Sequence, residues 1–195
     1  SPRDPIEGFN RKVFALNERA DEAILEPVAR GYRRVLPNGV ERAIARFFTH
    51  LQTGDRLAGA LLQGDLADVG TETGRFLVNT LVGLGGLFDP AAEIGLKNTE
   101  EDIGQALAVW GFDESPYLVV PLMGPMTVVE IPDYVLTGML PEWQLQEYWH
   151  VTARGVQIVS ARAEALAATA VVDESAVDPY SFIRESYLQR RRYLR

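Results

Sequence analysis

Apolar residues recur at steps of three and four through almost the whole chain, and that period leaves little choice of fold class. Ile6, Phe9, Val13, Leu16, Ala20 and Ile24 share one face of a helix. Val40, Ile44, Phe47, Phe48 and Leu51 make a second stripe, between the Pro37-Asn38-Gly39 break and Gly54. A shorter helix joins the two around Val28 to Val35. Leu57, Leu61 and Leu62 open another helical stretch. Leu66, Val69, Phe76, Leu77, Thr80 and Leu81 continue it, with Gly64 as a joint. A long helix over about Glu142 to Ala170 carries Leu145, Trp149, Val156, Val159, Ala163 and Leu166 on one side. The pattern predicts a single all-α domain over residues 1–195, since no repeat and no Ser/Gly/Pro linker divides the chain.

Helix starts are marked by acids and prolines. Asp4-Pro5-Ile6-Glu7 offers an N-cap, a proline at the first helical position and the acid of a capping box. The Asp-Pro device returns at Asp89-Pro90, which begins a short helix ending near Gly95, and at Asp178-Pro179, which begins the last one. Thr99-Glu100-Glu101-Asp102 starts a helix with Ile103, Leu107 and Trp110 on its apolar side. From Ser115 to Pro132 the prolines remove backbone donors, and the segment reads as irregular or extended.

Marks of catalysis are missing. The chain has no cysteine and only two histidines, His50 and His150, neither in a metal-ligand spacing, so no metal site and no cofactor are expected. The two histidines read as polar residues of a helix surface or boundary. No G-x-S-x-G elbow occurs. The acids mostly take first-turn or solvent-facing positions, so no catalytic residue is nominated. A net charge of −8 with a pI near 4.8 argues against nucleic acid as a partner, because that role needs clustered cations to displace phosphate counterions. The terminal Arg184, Arg190, Arg191, Arg192 and Arg195 suit either phosphates or an acidic partner surface, or else a solvated helix end.

The least polar stretch is LVNTLVGLGGLFDP, residues 77–90. Its glycines do not make a dinucleotide fingerprint, because Phe88 stands where the third glycine belongs, and no Lys-Ser/Thr pair follows for a Walker loop. A bilayer core about 30 Å thick takes roughly 20 apolar helical residues to cross, and Asn79 and Asp89 interrupt this run well short of that. Continuing a helix through Gly83, Gly85 and Gly86 costs on the order of 3 kcal/mol relative to alanine. The residues therefore describe a helix end with a glycine-permitted turn, compatible with a core or with a membrane boundary formed by Leu81, Leu84, Leu87 and Phe88. Trp110, Phe112 and Tyr117 in the next apolar region have interfacial character, and a lid over the core of a soluble bundle fits them as well.

Taken in order, DPIEGFNRKVFALNERAD, LLQGD at 61–65, RFLVNTLVGLGGLFD at 75–89, PYLVVPLMGP at 116–125 and DPYSFIRESYLQRRRYL at 178–194 resemble the MlaA/VacJ family of outer-membrane lipoproteins nearly end to end. The resemblance implies a helical ring or disc lying in the periplasmic leaflet of an outer membrane, with a central amphipathic channel. It also implies a role in lipid asymmetry without catalysis. Phospholipid would be removed from the outer leaflet and passed to a soluble periplasmic lipid carrier, commonly beside a trimeric porin. A lipidated cysteine would precede Ser1. Residues 103–115 align with the family's hairpin beside the pore. Gly104, Leu107, Trp110 and Gly111 thus become channel or gating candidates, with Arg46 and Phe47 on a helix that helps set channel behaviour. Departures stand at Arg46, Ala106, Ala108, Ser115 and Val128-Val129-Glu130, where the family tends to have Asn, Thr, Gly, Gly and Leu-Arg-Asp. Two rival readings are a soluble helical binding module for an apolar ligand and a lipid hydrolase.

Overall fold

The first stripe becomes α1, Glu7–Ala20, which runs through one π-helical turn, Asp21–Leu25, into α2, Glu26–Val35. The two expected helices are thus one continuous rod, because Ala20, Leu25 and Glu26 all keep right-handed helical backbone angles. The computed structural model describes residues 4–99, 106 and 107, 115–132 and 147–193. Extended backbone at Leu36 and Pro37 ends the rod and begins α3, Asn38–Leu51. Next come α4, Thr53–Gln63, and α5, Leu66–Leu81. The joint between them is Gly64, whose φ of +76° is left-handed, followed by Asp65, which accepts from the amides of Ala67 and Asp68 at 2.9 and 3.0 Å.

Asp89 caps the short α6, Pro90–Glu93, by accepting from Ala92 at 3.1 Å. The helix expected from Thr99 lies, beyond Thr99 itself, almost wholly outside the described residues. Glu147–Ser175 forms α7 and Pro179–Tyr193 forms α8. Helix α7 continues past its expected end near Ala170, since nothing before Ala176 breaks the ladder. By length and composition its Thr152–Val172 segment is long and apolar enough to cross a membrane. Its Arg162, however, is fastened to Asp21, the first residue of the π turn, at 2.7 Å, which lays α7 along the α1–α2 rod.

The all-α reading needs one amendment. Residues 115–132 hold an antiparallel hairpin of β1, Tyr117–Val120, and β2, Gly124–Thr127, paired Tyr117 to Thr127 and Val119 to Pro125. A bare two-stranded hairpin is marginal in water and needs a third layer. Here α1 supplies it. Asn10 donates to the Tyr117 carbonyl at 3.1 Å and accepts from the Val119 amide at 3.0 Å. Two turns on, Asn17 donates to the Val120 carbonyl at 3.0 Å and accepts from the Leu122 amide at 2.8 Å. Two side-chain amides seven residues apart thus stand in for a neighbouring strand and close the free edge of β1.

Around this junction sits a small core of Val13, Tyr117, Val119, Tyr180 and Leu188, with Phe14 and Tyr187 against it. It ties the first helix, the hairpin and the last helix together. Asp4 does not serve as the N-cap its sequence context suggests, because Ile6 occupies the cap position with no side-chain bond. Asp4 is instead buried and accepts from Asn10 at 2.8 Å, from the Tyr180 hydroxyl at 2.5 Å and from Arg184 at 3.1 Å. Burial opposes its ionisation, but these three donors outweigh that and hold its carboxyl below the ordinary carboxylate range. Arg184 and Arg191, read as exposed terminal cations, are likewise buried, the first against Asp4 and Glu7 and the second near Glu130.

Candidate functional site

Helix α5 shows how the chain distributes its polarity. Glu72, Arg75 and Asn79, at spacings of three and four, share one face, and they are 0%, 3% and 5% exposed. On the other side, Leu77 and Leu81 are 51% and 77% exposed, and Phe76, at the margin of the polar stripe, is 46% exposed. The helix is amphipathic, but the polar stripe faces in. The same inversion extends to Ile6, Phe9, Leu16 and Ile24 of the rod, Val40, Phe47 and Leu51 of α3 and Leu61 and Leu62 of α4, all of which are exposed. So many exposed large apolar side chains mark a surface suited to something other than water.

The inward stripe is fully occupied. Glu72 accepts from Arg56 at 3.1 Å and from the amide and hydroxyl of Thr99 at 2.8 and 3.0 Å. Arg75 donates to both oxygens of Asp89 at 3.1 and 3.0 Å and to the Leu96 carbonyl. Asn79 donates to Asp89 at 2.8 Å and accepts from the Ala91 amide at 3.1 Å. One helix face therefore fixes both the Gly83–Asp89 loop and the strand of chain beyond α6. The expectation that the acids are solvent-facing fails at Glu72, whose carboxylate meets charged and neutral donors deep in the fold.

The apolar run that closes α5 bends as its glycines require. Gly85 and Gly86 have φ of +71° and +91°, and the Gly86 amide donates to the Asn79 carbonyl at 2.9 Å. Gly86 also lies against His50: a Cβ built there would fall 2.4 Å from the His50 Cβ. The His50 ring stacks on Phe76 with centroids 5.2 Å apart, and its Nε2 meets the Thr80 hydroxyl at 3.2 Å. That hydroxyl gives its one proton to the Phe76 carbonyl at 2.6 Å, so Nε2 must carry the imidazole proton and donate. Burial, then the nearby charges of Arg56 and Arg75, push the His50 pKa down, against the smaller pull of Asp89, which agrees with a neutral ring.

Between α3, α4, α5 and this loop is a cavity of about 150 Å³. Its wall includes Arg46, His50, Arg56, Arg75, Asp89 and Phe88, so charged groups meet the apolar exterior at one mouth. Of the residues nominated from sequence, Arg46 and Phe88 line it. Leu81, Leu84 and Leu87 are exposed around the loop at 77%, 66% and 39%. Phe47 is exposed and packs edge to face on Phe48. Leu107 is half-buried beside a buried Ala106. Gly104, Trp110 and Gly111 lie outside the described residues. Tyr117 is a correction: its ring is wholly buried against Tyr180 and Tyr187, so it belongs to the hairpin core and not to a boundary. His50, Thr53, Arg56, Arg75, Asn79 and Asp89 were missed as lining residues. The polar period of α5 groups only Arg75 and Asn79 of these, and by itself does not say that they face in.

The Arg75–Asp89 contact sets an expectation for pH. Burial opposes ionisation of Asp89, but bonds from Asn79, Arg75 and the Ala92 amide outweigh it and depress its pKa in the folded state. A carboxylate held below its unfolded pKa of about 3.9 contributes stability that is complete above that value and lost as pH falls through the folded one. Urea midpoints taken from pH 7 downward should therefore fall below about pH 4. Asp89→Asn, already weaker at pH 7, should fall less over the same window.

An all-α scaffold with charged groups inside and leucines outside defines a class: helical proteins whose exterior is matched to an apolar phase. The chain belongs to the MlaA lipoprotein family, which matches over residues 2–194. It is 30% identical to the intermembrane phospholipid transport system lipoproteins MlaA of Haemophilus influenzae and Escherichia coli K12, over 97% and 98% of this chain and 78% of each relative. An uncharacterized protein of Rickettsia felis is 34% identical over 97% of this chain and 76% of its own length. A solved structure reported as the structural basis for maintenance of bacterial outer membrane lipid asymmetry superposes with a TM-score of 0.84 at 31% identity, covering 98% of both chains. The fold is the helical, ring-like one of that structure, carrying one minor hairpin.

Proposed function

We propose that this chain maintains outer-membrane lipid asymmetry by removing phospholipid from the outer leaflet and releasing it toward the periplasm, without covalent chemistry. The observation that carries this reading is the inverted polarity of α5 beside a charged cavity. Desolvating a charged headgroup is costly, whereas acyl chains are favoured against apolar side chains. A cavity that presents Arg46, Asp89 and Asn98 next to an exposed Phe88, Leu84 and Leu87 lets one molecule satisfy both halves at once. The chain would act as a single helical unit in the periplasmic leaflet, lipid-anchored as membership of a lipoprotein family implies, with a soluble carrier as recipient and a trimeric porin as neighbour. The segment that holds Gly104, Leu107, Trp110 and Gly111, with Phe47, would control passage.

Reconstitution into asymmetric vesicles tests it. Labelled phospholipid placed only in the leaflet opposite the bound chain should be extracted faster than in protein-free vesicles. Extraction at the protein-free rate, from a chain that remains soluble and monodisperse without detergent, would favour a water-soluble binding module instead.

A further inference from the structure

Three guanidinia converge on the cavity, and two are already answered. Arg56 is paired with Glu72 and Arg75 with Asp89, at 3.1 and 3.0 Å. Arg46 has no acidic partner among the described residues, although it lines the same wall as buried Arg75, Asn79, Thr53 and His50. Counting those ion pairs, the cavity carries one uncompensated positive charge among the described residues. An exposed arginine on a purely apolar rim would be a burden; an arginine at the mouth of a polar cavity is a receptor for an anion. Its volume is well above what a single water needs, and donors not already spent are concentrated at Arg46 and Asn98, the Thr49 hydroxyl being given to the Ala45 carbonyl at 3.0 Å.

We propose that Arg46 binds the phosphodiester of a phospholipid headgroup in this cavity and biases the chain toward lipids of net negative charge. This rests on the phospholipid reading above and adds a specificity residue to it. A phosphatidylglycerol headgroup leaves its phosphate charge free for Arg46. Phosphatidylethanolamine brings its own ammonium, which competes for that phosphate and is repelled by the guanidinium.

The test reads binding directly, apart from transport. His50 lines the cavity and is one of only two histidines, so its ring nitrogens report occupancy by NMR in detergent micelles. Dihexanoyl phosphatidylglycerol, dihexanoyl phosphatidylethanolamine and inorganic phosphate are titrated into the purified chain and into Arg46→Gln and Arg46→Lys. The expected result is that phosphatidylglycerol shifts the His50 resonances at roughly fivefold lower concentration than phosphatidylethanolamine. Arg46→Gln abolishes the difference, and Arg46→Lys restores part of it. Equal titrations by the two lipids, or a preference that survives Arg46→Gln, overturn the proposal. Inorganic phosphate binding as well as the lipid overturns the headgroup assignment and leaves a free-anion site. If these titrations fail while vesicle extraction succeeds, the role of Arg46 falls and the transport reading stands. Failure of both removes both.

Discussion

Gly86→Ala is expected to lower the thermal midpoint in detergent by on the order of 10 °C, with roughly 3 kcal/mol or more of lost stability. Two costs combine. A side chain at φ +91° is strained whatever surrounds it, and here the added methyl lands 2.4 Å from the Cβ and 2.5 Å from the Cγ of His50. Those atoms sit at the root of a side chain on α3, so relief requires moving a helix and not merely a rotamer. Gly85→Ala is the matched control. Its φ of +71° carries the strain alone, with nothing within 4 Å of the new methyl, so about 1 kcal/mol should be lost. Equal losses at the two positions would show that contact with His50 does not hold the loop.

Glu72→Ala should be comparably severe, costing about 3–5 kcal/mol. The carboxylate is fully buried, and removing it strands the Arg56 guanidinium, whose side chain is 12% exposed, together with the Thr99 amide. The penalty is that of an unanswered buried charge and not the net worth of the pair. Replacing both partners with apolar residues, Arg56→Met with Glu72→Leu, should therefore recover much of the loss. Chemical denaturation of the two single variants and the double variant in one detergent checks this. A double variant as weak as the sum of the singles would mean that Glu72 matters chiefly through Thr99.

Helix positions were legible because their signals are local. The αL glycine at 64, the Asp89 and Asp178 starts and the Pro37 break each act within a turn of the residue that carries them. Asp178 accepts from the Ser181 hydroxyl at 2.6 Å, and Arg11 beside it holds its carboxyl well below the usual range. The hairpin was not legible, because what stabilises it is remote: Asn10 and Asn17 lie more than a hundred residues away in sequence. Asp4 fooled the capping pattern for the same reason, since its partners Tyr180 and Arg184 are at the other end of the chain.

The candidate site fell between these cases. A period of 3.6 reveals that Leu77 and Leu81 oppose Glu72 and Asn79, but it is silent on which side faces in. Water would put the leucines inside. Their exposure, with Glu72, Arg75 and Asn79 inside, fits the apolar surroundings proposed above, and surroundings are not written into the period of one helix. Arg46 and Phe88 were found through residue type and resemblance. Arg56, Arg75 and Asp89 were invisible until their charges could be seen to face one another.

Because the chain has no cysteine, single labels can be placed without background. Spin labels at Leu81→Cys and Leu84→Cys, compared with one at Glu22→Cys on the exposed part of the π turn, measure immersion directly in vesicle-bound protein. Lipid contact predicts that the labels at 81 and 84 are accessible to dissolved oxygen and shielded from a water-soluble nickel chelate, with no such shielding before vesicles are added. Free collision with the chelate at both positions in the vesicle-bound state would contradict the assignment of this inverted surface to the membrane.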